Sequence, residues 1–154
     1  MELLQCCGSR RWAKAMANGR PYATLEILIA KAHDTWWSLD RSDWLEAFRS
    51  HPKIGEKKAA DKVSAQSQQW SGHEQSGIAK ASDETISALA ALNEDYEQKF
   101  GFIFIICATG KTTGEMLSAL RERLEHDPES ELPIAAAEQS KITELRLKKL
   151  LQST

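Results

Sequence analysis

Phe102-Ile103-Phe104-Ile105-Ile106-Cys107-Ala108 is the longest apolar run in the chain, and it stands alone. Its composition suits a buried strand. A strand needs a neighbour, because unpaired backbone N–H and C=O groups are costly to bury. No second stretch of the sequence reads as a partner strand. The run is therefore either an orphan strand or an extended core segment flanked by helices, and the residues alone leave both open. It is also far short of the ~20 apolar residues that a membrane-spanning helix needs.

Everything else carries helical punctuation. Glu2 to Cys7 reads as the last turns of a helix stopped by Gly8. Ser9 caps Arg10 to Asn18, which puts Trp12, Ala15 and Met16 on one side. Arg20-Pro21 forces an extended link. Thr24 caps a helix whose stripe runs Leu25, Leu28, Ile29, Ala32, Trp36 and Leu39. Ser42 or Asp43 caps a short helix through Trp44, Ala47 and Phe48, ended by Pro52. Residues 53 to 70 read as a polar surface loop, and a short helix follows between Gly72 and Gly77. Ser82 or Asp83 caps the clearest helix, with Ile86, Leu89, Leu92, Tyr96 and Phe100 inward and Gly101 as its stop. Thr112 or Thr113 caps the next, through Leu124. Leu132-Pro133 starts the last, which continues to about Leu151. The expectation is a single all-α domain over residues 1–154, a bundle of about seven helices without a sheet.

At 154 residues such a domain buries roughly 70% of its unfolded-chain surface. The net charge of −2, with acids and bases interspersed, gives no reason to expect a nucleic-acid or membrane partner. No secretory signal pattern opens the chain. The three cysteines, two of them adjacent, make neither a disulfide framework nor zinc-ligand spacing, so a reducing cytoplasm is expected. Five tryptophans point to large aromatic core pieces and, more weakly, to an interface between subunits.

Two motifs suggest chemistry and fail on inspection. Ala108-Thr109-Gly110-Lys111-Thr112 imitates the end of a phosphate-binding loop, but the first glycine of that loop would fall on Ile105. Helix-capping threonines explain the residues better. A metal site drawn from His51, His73 and Glu74 suffers because adjacent helical residues do not point together. His33 and His126 have no ligand pattern around them. No metal site is expected.

His51-Pro52-Lys53-Ile54-Gly55 holds more. Proline disfavours helix at the residue before it, so His51 sits at the lip of a loop. Histidine trades protons near neutrality, with an unperturbed pKa of ~6.5. A carboxylate such as Glu74 would orient it and raise its pKa. The bland readings are a helix-terminating His-Pro, a Glu74 that favours a helix dipole, and an Arg146 that is a solvated charge on the last helix, paired with Glu144 or another acid. Spacing does not decide among them.

A resemblance adds what spacing lacks. The chain resembles the OHCU decarboxylases, which act on 2-oxo-4-hydroxy-4-carboxy-5-ureidoimidazoline in urate degradation. The matching segments are Cys6-Cys7-Gly8-Ser9 with Arg11-Trp12-Ala13, Met16, Arg20-Pro21, Trp44-Leu45-Glu46-Ala47-Phe48 and His51-Pro52-Lys53-Ile54-Gly55. They continue with Glu74-Gln75-Ser76-Gly77, Tyr96, Lys99-Phe100-Gly101-Phe102 running on to Cys107-Ala108, and Ile142 with Leu145-Arg146-Leu147. Many members carry proline where this chain has Ile103, and a longer helix before the paired cysteines.

The resemblance implies an all-helical fold, and so an extended core segment rather than a strand at 102–108. It implies catalytic roles for His51 and Glu74. Substrate contacts follow from Pro52, from Ser71, Gly72, His73 and Gln75, from Phe104, Ile105, Ile106, Cys107 and Ala108 largely through their backbone, and from Arg146. It implies loss of CO2 from a hydroxyl-bearing carbon with the electron pair passing into a neighbouring ring carbonyl, so that no cofactor or metal is needed. It implies (S)-allantoin as the product and, with the tryptophan count, favours a homodimer, in the cytoplasm that the cysteines suggest. The alternatives are a non-catalytic helical homologue that only binds the ligand, and a metal-dependent hydrolase of a ureido compound.

Overall fold

The computed structural model describes residues 2–52 and 83–152. They form seven helices: α1 (Glu2–Cys6), α2 (Arg10–Asn18), α3 (Leu25–Ser38), α4 (Arg41–Arg49), α5 (Asp83–Phe100), α6 (Thr113–Leu124) and α7 (Pro128–Gln152). Among the described residues there is no strand. The long α7 is the axis of the bundle and packs against α1, α3, α4 and α5, while α5 pairs with α6.

Local chemistry sets the boundaries. Ser9, Thr24 and Thr112 each accept an N–H from the first turn of the helix they precede, and Thr112 closes a reciprocal box with Glu115. Gly101 takes φ +83 just past α5, a left-handed conformation that glycine adopts without strain. Two starts differ from the sequence reading. α4 begins at Arg41 because Asp40, not Ser42 or Asp43, is its cap, in a box with Asp43. α7 begins at Pro128, not at Leu132-Pro133. Asp127 accepts the Ser130 N–H at 2.8 Å, and proline is well suited to the first helical position. Pro133 is carried inside the helix, one turn in. The expected 53–70 loop and the short helix around residues 72–77 lie outside the described residues.

Tryptophans fasten the helices to one another. Trp12 Nε1 donates to the Ala32 carbonyl of α3 at 3.2 Å, and Trp36 Nε1 to the Ala136 carbonyl of α7 at 2.9 Å. Trp44 Nε1 donates to the Trp36 carbonyl at 3.0 Å. Each ring fills apolar space while its N–H finds a backbone acceptor.

The run at 102–108 is an extended segment through the core, with Phe102 against Phe48 and Phe104 against Tyr96, both pairs 5.3 Å between centroids. Side chains replace the missing strand. Arg123 Nη1 donates to the Ile105 carbonyl at 2.6 Å, and the Cys107 N–H donates to Glu138 Oε1 at 2.9 Å. Arg123 is itself buried and held by the fully buried Glu131, which also accepts from the Tyr96 hydroxyl and from His126 Nδ1 at 2.9 Å. A buried charge is tolerated when it is paired and hydrogen-bonded. Here the pair supports the backbone of the extended segment at Ile105.

Candidate active site

His51 follows the last turn of α4, its N–H bonded to the Phe48 carbonyl at 3.2 Å. Gly8, in the turn between α1 and α2, lets that turn close on the residue before it: a Cβ at Gly8 would collide with the Ser50 side chain. His51 thus follows a residue packed against the α1–α2 turn and turns its ring to α7. Its Nε2 lies 2.6 Å from Gln139 Oε1. Gln139 is fully buried, and its Nε2 donates onward to Thr143 Oγ1 at 3.0 Å. The Thr143 hydroxyl in turn reaches the buried Cys7 sulfur.

Arg146 belongs to the same stripe of α7. Residues 139, 143 and 146 recur at i, i+4 and i+7, one face of a helix. Arg146 is only 3% exposed, and its Nη1 donates to the Gln5 carbonyl at 3.1 Å, at the end of α1. The solvated-charge reading of this residue is therefore overturned, and so is its pairing with Glu144. Glu144 faces His33 at 3.1 Å and Lys148 at 3.4 Å instead.

The electrostatics follow from burial. Desolvation, reinforced by the Arg146 charge, holds the His51 pKa down at about 3, and the hydrogen bond to Gln139 offsets only part of this. The imidazole is neutral at physiological pH. Burial raises the Cys6 and Cys7 thiols to about 12 despite Arg146, so both are inert thiols rather than nucleophiles.

Arg146 lies close enough to His51 to act on its charge, and Pro52 directly follows His51. The structure also places the 104–108 segment against α7, through Glu138. One expected donor of that segment is occupied: the Cys107 N–H is held by the Glu138 carboxylate. Phe104, Ile105, Ile106 and Ala108 are buried beside it. Ser71, Gly72, His73, Glu74 and Gln75 lie outside the described residues. No group of three or more candidate metal ligands occurs among the described residues. Thr112 caps α6, so the imitation phosphate loop is a helix start. The sequence alone does not single out Gln139 or Thr143, although their spacing to Arg146 along the last helix is a usable signal.

Comparison with known proteins is consistent across the chain. The family model described as OHCU decarboxylase matches residues 1–148. The "Uric acid degradation bifunctional protein TTL" of Arabidopsis thaliana is 44% identical over 146 residues, 94% of this chain and 45% of that protein. The 2-oxo-4-hydroxy-4-carboxy-5-ureidoimidazoline decarboxylase of Amia calva is 31% identical over 143 residues, 91% of this chain and 79% of that one. A crystal structure of OHCU decarboxylase in the presence of (S)-allantoin matches with a TM-score of 0.84 at 43% identity, covering 98% of this chain and 97% of the other. The chain spans less than half the length of the bifunctional proteins it matches.

Proposed function

This chain belongs to the OHCU decarboxylase family, and from that premise we propose that it is a carboxy-lyase of urate degradation. It converts 2-oxo-4-hydroxy-4-carboxy-5-ureidoimidazoline to (S)-allantoin and CO2. The observation that carries this reading is His51 held by Gln139 on the face of α7 that also carries the buried Arg146, whose charge acts on His51. A neutral proton-transfer group and a fixed planar cation are what a small anionic ureido acid calls for.

The substrate supplies its own electron sink. Its name places the oxo group at C2, so no ring carbonyl adjoins C4, and the carbonyl sink that the resemblance implied is replaced by another acceptor. With C4 saturated, the ring double bond of the imidazoline lies between C5 and N1. As CO2 leaves, the C4–carboxylate pair becomes the C4=C5 bond and the C5=N1 pair moves onto N1, which takes a proton from solvent. The C4 hydroxyl proton then departs as C4=O forms, and the C4=C5 pair takes a proton at C5. One external proton is consumed, and delivery to one face of C5 sets the S configuration.

In this scheme no metal or organic cofactor takes part. His51 handles the hydroxyl and C5 protons. Arg146 offers paired donors to a ureido oxygen or the carboxylate. The Phe104–Ala108 wall is apolar, which suits departing CO2 better than a carboxylate. Glu74, Ser71, Gln75 and their neighbours Gly72 and His73 complete the pocket by resemblance. We also place the protein in the cytoplasm, where buried Cys6, Cys7 and Cys107 stay reduced, and read it as a homodimer. Exposed Trp37 and Leu151, and an ~830 Å³ groove lined by Leu3, Leu4, Leu147 and Leu150, support association.

The test is direct. Purified protein is mixed with freshly generated urate-oxidation intermediate, and CO2 release and optical rotation are followed. Fast formation of a single allantoin enantiomer is expected. Racemic allantoin at the uncatalysed rate would overturn the assignment.

A further inference from the structure

We propose that Gln139 is a positioning residue for the reaction: it locks neutral His51 in the Nε2–H tautomer and so presents Nδ1 to the substrate as the proton-shuttling atom. The inference rests on the function proposed above and adds to it a residue and a direction of proton flow.

The amide is fixed at both ends. Gln139 is 0% exposed, and its two polar atoms serve two different partners, Thr143 at 3.0 Å and His51 at 2.6 Å. The Gln139 NH2 donates to the Thr143 hydroxyl oxygen, which the Cys7 thiol also reaches. The Gln139 oxygen therefore faces the ring. An amide oxygen only accepts, and a neutral imidazole has a single N–H. That N–H must be on Nε2, which leaves the lone pair on Nδ1. The chain from Thr143 through Gln139 to His51, with Cys7 behind Thr143, thus selects one tautomer. The three α7 and turn groups behind the ring are all buried, so solvent does not compete for the bond.

The proton path follows. Nδ1 takes the C4 hydroxyl proton while the O–H pair forms C4=O, and the same Nδ1–H is returned to C5, where the C4=C5 pair receives it. Nε2–H stays on Gln139 throughout. Among the described residues the charge acting on His51 is Arg146. It opposes the imidazolium until the anionic substrate offsets it, so His51 charges only in the occupied site and then gives its proton up readily.

Three measurements test this. Nitrogen-15 NMR of histidine-labelled, ligand-free protein, with His51 assigned from its loss in a His51→Asn variant, should show a pyrrole-type Nε2 and a pyridine-type Nδ1. This reading needs no turnover, so it stands or falls separately from the decarboxylase assignment. Gln139→Leu, folded by circular dichroism, releases the tautomer. It should lower kcat about 10- to 100-fold, a part of the ~10²–10⁴ that a positioned acid–base group supplies, with KM within about twofold. Gln139→Glu keeps the acceptor and adds a charge, so it should retain the Nε2–H signature and move the acid limb of the kcat profile to higher pH. An Nδ1–H tautomer in the wild type overturns the proposal. So does a Gln139→Leu enzyme with wild-type kcat, or one whose loss lies in KM.

Discussion

Glu138 Oε1 accepts the Cys107 N–H at 2.9 Å, one residue before Gln139 turns to His51. Two consecutive side chains of α7 thereby hold the 107 backbone and the His51 ring. The carboxylate has a harder task than the amide. Burial pushes its pKa up, but Lys141 at 2.5 Å, the Cys107 N–H and Arg123 together hold it below the usual carboxylate range. It is therefore charged when it holds the segment.

Replacing Glu138 should loosen the 104–108 segment. Glu138→Leu leaves the buried Cys107 N–H without its acceptor, and an unsatisfied buried donor costs about 1–3 kcal/mol. Glu138→Gln keeps an acceptor and should lose less. Urea unfolding of the two variants checks the order. Equal stability of Glu138→Leu and wild type would mean that another group takes over the N–H.

The sequence made the bundle legible because capping residues and 3.6-residue stripes are local. Ser9, Thr24 and Thr112 act where they stand. The starts of α4 and α7 are not legible in the sequence, because each is decided by which side chain reaches the first turn, Asp40 for α4 and Asp127 for α7. The isolated apolar run was readable as a problem, but its solution was not. Arg123 and Glu138 come from distant helices, and nothing local marks them as its partners. For the site, His51 announced itself through Pro52. Gln139 is an ordinary helical glutamine until α4 is folded against α7.

His51 itself gives the most direct prediction of activity. His51→Ala removes the proposed shuttle without filling or crowding the core, so the fold should persist. Turnover should drop by roughly 10²–10⁴. Stopped-flow assay of the folded variant decides it, and a rate within threefold or so of wild type would remove His51 from the chemistry.

The depressed pKa of the same residue predicts a pH dependence of stability. The unfolded chain binds a proton at His51 near pH ~6.5, whereas the folded protein resists it down to about 3. Between those values the unfolded state holds more protons, so stability falls as pH drops through that window. The upper part, above the range where carboxylates titrate, belongs to histidine. Urea midpoints at pH 7 and pH 5 should differ in the wild type and converge in His51→Asn. An unchanged difference in the variant would assign the effect elsewhere.

Arg146 and Glu74 separate binding from chemistry. Arg146 is buried, donates to Gln5, and presents a planar fork that lysine lacks. Arg146→Lys keeps the charge, so its effect on the His51 pKa should largely survive, but paired donation to substrate is lost. KM should rise clearly, with any fall in kcat reflecting looser placement of the reacting carbon. Glu74→Gln keeps shape and removes charge. If Glu74 orients the proton shuttle, as the family resemblance implies, kcat should fall more than KM rises. Steady-state kinetics of both variants, measured with the substrate made in situ, reads the two roles apart. Wild-type constants for Arg146→Lys would leave the arginine as a tie between α7 and the end of α1, and the substrate's anionic groups would then have to be met elsewhere. Wild-type kcat for Glu74→Gln would leave orientation of His51 to Gln139 alone, which is the stronger form of the positioning argument and would make Gln139→Leu the more damaging of the two substitutions.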